Sequence, residues 1–126
     1  AMIGANNINS VLCEEDFKNL GCEVIVSTDD GTYGKKGMIT EILLELLTSH
    51  LSPLTSHIYA CGPRPMIKEL EGISAQYKIP CQVSLEEWMA CGFGSCNGCN
   101  VQTKSGYKKV CSDGPVFNIG DLVWQR

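Results

Sequence analysis

Residues 91–99 read Cys91-Gly92-Phe93-Gly94-Ser95-Cys96-Asn97-Gly98-Cys99, and a fourth cysteine, Cys111, follows twelve residues after the third. Gaps of four and two residues before a distant fourth cysteine are typical of plant-type ferredoxin sites, in which a short loop wraps a [2Fe–2S] cluster. Glycines between the ligands let the backbone fold tightly, and amide N–H groups that point at the sulfurs stabilise their negative charge. The spacing predicts a small iron–sulfur module that carries electrons.

The same four cysteines could in principle hold zinc. Zinc sites more often pair two short C-x2-C or C-x4-C elements at opposite ends of a loop. Here three of the four cysteines fall within nine residues and only one lies away from them. The spacing therefore favours an iron–sulfur cluster over zinc, disulfides or free thiols. In the usual arrangement for this spacing, Cys91 and Cys96 share one iron, and Cys99 and Cys111 share the other.

The composition is that of a globular protein, with 126 residues of which 44% are hydrophobic and 19% charged. A net charge of −4 argues against a nucleic-acid partner, which requires clustered Lys and Arg. The longest apolar stretch, residues 39–47, contains Glu41 and Glu45 and is far shorter than the roughly 20 residues of a membrane span. The N-terminus lacks a basic region followed by an apolar core, so we expect a cytoplasmic protein without a membrane partner.

The first two thirds of the chain alternate helices and strands. Helices are predicted at residues 14–20, 38–50 and 65–78, and strands at residues 1–4, 22–28, 57–61 and 80–85. Strands separated by helices indicate βαβ units and a parallel sheet. A hairpin is predicted over residues 100–111, with its turn at Ser105-Gly106.

The predicted fold class is α/β, with a partial parallel-sheet nucleotide-binding domain followed by a small Cys-rich β-hairpin iron–sulfur module. We place the first domain at residues 1–84 and the module at residues 85–126. No complete G-x-G-x-x-G phosphate loop is present, and only about three strands are secure. The first strand and its glycine loop are expected to be missing, as in the C-terminal part of a longer protein.

Four stretches of the chain resemble parts of two known kinds of domain. Ser84-Leu-Glu-Glu-Trp-Met-Ala-Cys91, with the cysteines after it and Val110-Cys-Ser-Asp-Gly-Pro-Val-Phe117, is similar to the C-terminal module of dihydroorotate dehydrogenase B electron transfer subunits. Tyr59-Ala-Cys-Gly-Pro-Arg-Pro-Met66 resembles the C-G-P-x-P-M segment of ferredoxin-reductase-like NAD-binding domains. Residues 27–34 also resemble that type of domain.

The resemblance implies an electron transfer subunit in pyrimidine (UMP) biosynthesis. Electrons would pass through the [2Fe–2S] cluster between the FMN of a dihydroorotate dehydrogenase catalytic subunit and FAD and NAD, both bound by the full-length subunit. The four cysteines would ligate the cluster, Cys61 and Gly62 would lie at the nicotinamide end of the NAD site, and Asp29 and Asp30 toward its rim. No catalytic residue is expected, and this part alone is not expected to complete the reaction.

Two alternative functions stay open from the sequence. One is a reductase-like subunit of a sulfide dehydrogenase or transhydrogenase-type complex. In those proteins an aspartate tends to replace the first cysteine, so Cys91 favours the dihydroorotate enzyme. The other is a zinc-stabilised interaction module with no redox role.

Other cysteines and two aromatic residues have simpler expected roles. Cys13, Cys22 and Cys81 begin apolar segments, and we expect them to pack in the core as small hydrophobic residues. Trp88 and Phe93 flank the first predicted ligand. They either shield the cluster from water or form an exposed docking patch.

Overall fold

The computed structural model describes residues 1–49 and 56–124 of the chain. These residues form two compact units, one of residues 1–49 and one of residues 56–124. None of the helices in the two described ranges is long and apolar enough to cross a membrane.

The first unit is a parallel three-stranded sheet with two helices. Its elements in chain order are β1 (Met2–Ala5), α1 (Glu14–Asn19), β2 (Ile25–Thr28), β3 (Lys35–Lys36) and α2 (Ile39–Ser49), with a 3-10 turn at Ile8–Ser10. The strands lie in the order β1-β2-β3, with Ile3 opposite Val26. Helix α2 packs on β1 and β2 because Ile42, Leu43 and Leu47 lie on one face and are buried.

The second unit combines a mixed sheet with a hairpin. Its elements are β4 (Ile58–Cys61), α3 (Arg64–Tyr77), β5 (Cys81–Ser84), β6 (Asn100–Thr103), β7 (Gly106–Lys109), α4 (Val110–Asp113), β8 (Val116–Asn118) and a 3-10 turn at Ile119–Asp121. Strand β5 pairs with β4 in parallel and with β8 in antiparallel orientation. Strands β6 and β7 form an antiparallel hairpin.

The cysteine-rich region shares a sheet and a core with the residues before it. Strand β8 follows the last predicted ligand in sequence, yet it pairs with β5 and places Phe117 opposite the fully buried Val83. Ile119 and Leu122 are also buried, and the 3-10 turn at Ile119–Asp121 packs on α3 and β5. The region that holds the cysteines is therefore attached to the sheet on its C-terminal side.

The predicted α/β fold class with parallel strands is confirmed, and every predicted helix and strand is present with ends shifted by up to three residues. Residue 50, the predicted end of the second helix, lies outside the described residues. The predicted hairpin was too long, because β7 ends at Lys109 and Cys111 lies in α4. The Asp113 carboxylate accepts the Lys109 N–H at 2.7 Å, which turns the chain into α4 instead of extending the strand.

Two of the three predicted core cysteines are exposed. Cys81 is buried in β5 as expected, whereas the predictions for Cys13 and Cys22 were wrong. Cys13 precedes α1 with a left-handed backbone (φ 61°), and Cys22 follows the turn at Gly21 before β2 begins at Ile25. Neither thiol therefore lies on a strand or helix face that points into the core.

Gly34 and Gly21 provide a matched test of the packing in the first unit. Both have positive φ, 66° and 78°, but a β-carbon at Gly34 would lie 2.2 Å from the Val26 carbonyl oxygen, and one at Gly21 would have no atom within 4 Å. We expect Gly21→Ala to cost about 1 kcal/mol of unfolding free energy and Gly34→Ala more than about 2 kcal/mol, because only the latter adds a backbone clash. Urea unfolding followed by circular dichroism measures both, and equal costs would contradict the close approach.

Candidate functional site

The predicted ligands lie in two parts of the second unit. Cys91, Cys96 and Cys99 belong to the irregular segment between β5 and β6, and Cys111 lies in α4. The Val110 N–H donates to the Cys99 carbonyl oxygen at 3.1 Å and closes the open end of the hairpin. Consequently the Cys99 and Cys111 side chains face each other, with 3.3 Å between their Sγ atoms.

Cys91 and Cys96 form a second pair. The backbone N–H of Cys96 donates to Cys91 Sγ at 3.3 Å. This hydrogen bond, with a further one from the Phe93 backbone, lowers the pKa of Cys91 to about 6. Backbone N–H donors thus stabilise a thiolate at the position where the sequence predicts the first ligand.

The thiols of Cys99 and Cys111 have pKa values shifted in opposite directions. Hydrogen bonds from Cys111, first from its backbone N–H and then from its thiol, lower the pKa of Cys99. The pKa of Cys111 is raised, chiefly because its thiol donates to Cys99, and the negative charge of Cys91 raises it further. Cys91 is therefore near enough to Cys111 for the charges of the two pairs to interact.

The loop that carries the first pair is fastened to the hairpin. Lys109 Nζ donates a hydrogen bond to the Gly94 carbonyl oxygen. Gly94 has a φ of 85°, and a β-carbon there would lie 3.2 Å from Ser112 Oγ. The sequence could not reveal this contact, because Lys109 reads as an ordinary surface charge on the hairpin.

The donor set fits a cluster with two irons. The four thiols lie as two pairs, and a [2Fe–2S] cluster is held by four cysteine thiolates on two irons. A structural zinc site takes four ligands around a single ion. The paired thiols and the N–H donors to sulfur therefore agree with the chemistry of the cluster.

Cys61 and Gly62 lie at the carboxyl end of β4, where ligands bind in open α/β sheets. The Cys61 thiol is exposed. A β-carbon at Gly62 would lie 2.5 Å from Met66 Cε, so Met66 of α3 packs directly over this turn. At the predicted nicotinamide end, the Cys61 thiol is therefore accessible to a ligand.

Asp29 and Asp30 follow the carboxyl end of β2, in the first unit. Asp30 Oδ1 accepts hydrogen bonds from the Thr32 hydroxyl at 2.7 Å and from the Thr32 N–H at 2.9 Å. These bonds, the hydroxyl first, lower the pKa of Asp30. Both aspartates are exposed, and the carboxylate of Asp30 also shapes the turn.

The aromatic residues beside the first predicted ligand are exposed. Trp88 is 93% exposed and Phe93 is 76% exposed, and Met89 between them is also exposed. Of the two roles considered from the sequence, the structure agrees with the exposed patch. Glu87, which precedes Trp88, is paired with Arg64 at the start of α3.

Two family models match the chain. The model described as oxidoreductase NAD-binding domain matches residues 2–72, which is more than half of the chain. The chain belongs to this family. The model described as iron–sulfur cluster binding domain of dihydroorotate dehydrogenase B matches residues 86–123 and includes all four cysteines. An NAD-binding domain and an iron–sulfur domain are the two cofactor-binding parts that the sequence predicts.

Known proteins named dihydroorotate dehydrogenase B (NAD(+)), electron transfer subunit, are similar to the chain. One from Caldanaerobacter subterraneus is 44% identical over 87% of this chain and 44% of its own length. Another, from Desulforamulus reducens, is 36% identical over 98% of the chain and 47% of its length. These matches confirm the predicted resemblance, and the chain spans under half the length of these relatives.

A solved structure of an NADH-dependent reduced ferredoxin–NADP oxidoreductase is similar in fold. It covers 98% of this chain and 43% of its own chain, with a TM-score of 0.78 and 26% sequence identity. This likeness confirms the ferredoxin-reductase-like character of the fold.

The unequal thiol pKa values predict ordered alkylation of the metal-free chain. Because its pKa is lowered to about 6, Cys91 should be a thiolate at neutral pH and react with iodoacetamide, whereas Cys111, with a raised pKa, should stay protonated until higher pH. Cys81 is the control, since burial raises the pKa of its thiol to about 11. Tandem mass spectrometry after alkylation between about pH 5 and 9 measures the order. Parallel alkylation of Cys91 and Cys111 would contradict it.

Proposed function

We propose that this chain belongs to an electron transfer subunit. It would carry electrons through a [2Fe–2S] cluster between the FMN of a dihydroorotate dehydrogenase catalytic subunit and FAD and NAD, in pyrimidine (UMP) biosynthesis. The proposal rests on the two pairs of cysteine thiols within residues 91–111. These residues lie in the region that matches the iron–sulfur domain of dihydroorotate dehydrogenase B. The names of the similar proteins support it.

In this proposal, Cys91 and Cys96 hold one iron and Cys99 and Cys111 hold the other. A bound [2Fe–2S] cluster accepts or releases one electron at a time. Electron transfer needs no acid, base or nucleophile in this chain, and we assign no catalytic residue. The chain's own contribution is to hold the thiolates in place with backbone N–H donors and to keep the hairpin end closed through the Val110 to Cys99 hydrogen bond.

We further propose that NAD binds at the carboxyl ends of the parallel strands. Cys61 and Gly62 would contact the nicotinamide end, and Asp29 and Asp30 would lie toward the rim. All four residues fall within the region that matches the NAD-binding domain family, and both segments directly follow a parallel strand. FAD would be bound by the full-length subunit, since the relatives are more than twice as long as their matched parts.

The proposed partner is the FMN-containing catalytic subunit, with no nucleic acid and no membrane involved. The exposed aromatic side chains of Trp88 and Phe93 beside the first ligand support a protein partner at this face. We propose a cytoplasmic location.

Iron analysis is the direct test of the cluster. After anaerobic purification, we expect about two irons and two acid-labile sulfides per chain, brown colour and an EPR signal on reduction. Cys111→Ser should lose most of the iron, and Cys13→Ser, which changes an exposed thiol far from the ligands in sequence, should keep it. One zinc per chain without iron would contradict the proposal and leave the zinc-stabilised module as the function.

Docking to the catalytic subunit should depend on Trp88. We expect Trp88→Ala to weaken the association of the complete subunit with its catalytic partner about tenfold or more, because exposed aromatic residues often become binding hot spots when buried. The iron content should not change, since Trp88 contributes no thiol. Tyr59→Ala is the matched control, because Tyr59 is 75% exposed on β4. Equal association of the two variants, measured by calorimetry, would exclude this patch as the docking site.

A second candidate function follows from the solved structure with similar fold. The chain could serve as the corresponding part of a complex like the NADH-dependent reduced ferredoxin–NADP oxidoreductase. The two candidates differ in the partner. Copurification with a dihydroorotate-oxidising subunit supports the first, and ferredoxin-dependent reduction of NADP without dihydroorotate oxidation supports the second.

A further inference from the structure

Gly94 connects the loop of the first thiol pair to the second pair. It lies between Cys91 and Cys96 in the chain. Its N–H donates a hydrogen bond to the Cys111 sulfur, and its carbonyl oxygen accepts one from Lys109 Nζ. One residue of the first loop therefore contacts a ligand of the second pair, and Lys109 holds that residue through its carbonyl oxygen.

The space around Gly94 is closely filled. Its φ is 85°, and a β-carbon there would lie 3.2 Å from Ser112 Oγ in α4 and 3.9 Å from Lys109 Cδ. The aliphatic part of Lys109 thus lies beside Gly94, and its ammonium reaches the carbonyl oxygen of the same residue. Gly92 in the same loop also has a positive φ, 73°, but a β-carbon there would have no atom within 4 Å. Of these two glycines, only Gly94 is held against α4.

Lys109 differs from its neighbour Lys108 in position. Lys109 is half-buried and Lys108 is exposed, because side chains of successive strand residues point to opposite faces. Asp113 accepts the backbone N–H of Lys109, whereas the acceptor of the ammonium is the uncharged Gly94 carbonyl. The positive charge of Lys109 therefore lies against the loop that carries the first thiol pair.

Both contacts of Gly94 bear on a cluster held by the four cysteines, so the inference rests on the proposed function. One-electron reduction adds one negative charge to such a cluster. A nearby positive charge and an N–H donor to a ligand sulfur both stabilise the added charge, and they are among the factors that set the reduction potential of iron–sulfur clusters. Removing them should make the cluster harder to reduce.

We propose that Lys109 is a positioning residue that raises the reduction potential of the cluster. By holding the Gly94 carbonyl oxygen, it keeps the Gly94 N–H directed at Cys111, and its ammonium adds a positive charge at the same loop. Lys109 supplies no ligand to iron and acts through Gly94. The residue therefore adjusts the energy at which the electron enters the chain, without taking part in binding the metal.

The test compares variants of the 126-residue chain, purified anaerobically with its iron. Lys109→Met keeps an unbranched side chain and removes the ammonium. We expect an equilibrium constant for one-electron reduction about tenfold smaller, which is a midpoint potential lower by about 59 mV. Lys109→Arg keeps the charge and the donor and should restore the potential. Lys108→Met removes the same charge from the exposed neighbour and should leave the potential unchanged. Dithionite titration with mediators, followed by EPR of the reduced cluster, measures the potential.

A second pair of variants tests the same contact from the loop. Gly94→Ala brings a β-carbon against Ser112 Oγ and should lower the potential, whereas Gly92→Ala carries a similar positive-φ strain without a contact and should not. EPR records only molecules that keep the cluster, so partial loss of iron does not alter the measured potential.

The possible outcomes separate this proposal from the proposed function. An unchanged potential in Lys109→Met, an equal decrease in Lys108→Met, or no recovery in Lys109→Arg overturns the role of Lys109 and leaves the cluster in place. An unmodified chain without iron overturns both. If Lys109→Met loses all its iron, the glycine variants decide, and equal potentials of Gly94→Ala and Gly92→Ala overturn the proposal.

Discussion

The arrangement of the cysteines depends on one backbone hydrogen bond, from the Val110 N–H to the Cys99 carbonyl oxygen. It joins two residues that are eleven positions apart in the chain, and both are buried, with Val110 fully enclosed. Asp113 then accepts the Lys109 N–H, so the chain turns into a helix and Cys111 faces Cys99. The second thiol pair is thus positioned by buried backbone, which holds a separation of 3.3 Å between sulfurs better than an exposed loop would.

The first pair, Cys91 and Cys96, is held by a loop and not by the hairpin. Cys91 and Cys96 lie in an exposed loop whose tie to the hairpin is the hydrogen bond from Lys109 to the Gly94 carbonyl oxygen. A loop of this kind opens at lower cost than a strand of the core. The second pair therefore rests on buried backbone, and the first pair rests on a more exposed loop.

The features predicted from the sequence are those that depend on cysteine spacing and on the periodicity of apolar residues. The gaps between Cys91, Cys96, Cys99 and Cys111 indicated the candidate site, and the helices and longer strands followed from the placement of apolar residues. Strands β3 and β8 were missed because they have two and three residues, too few to show alternation. The end of β7 was missed because it depends on the contact of the Asp113 carboxylate with the Lys109 N–H, which hydrophobic periodicity does not show.

The proposed electron transfer would explain why apolar side chains stay exposed next to the first thiol pair. A carrier must bring its cofactor close to another protein, so the surface over that cofactor cannot be covered permanently by its own core. Glu87 is held by Arg64 at the start of α3, which fixes one end of the segment from which Trp88 extends into solvent. A partner that covers Trp88 and Phe93 would bury apolar area and exclude water beside Cys91 in the same event. The proposed docking surface and the proposed cluster site would then be parts of one arrangement, because the contact that gives affinity also shortens the path of the electron.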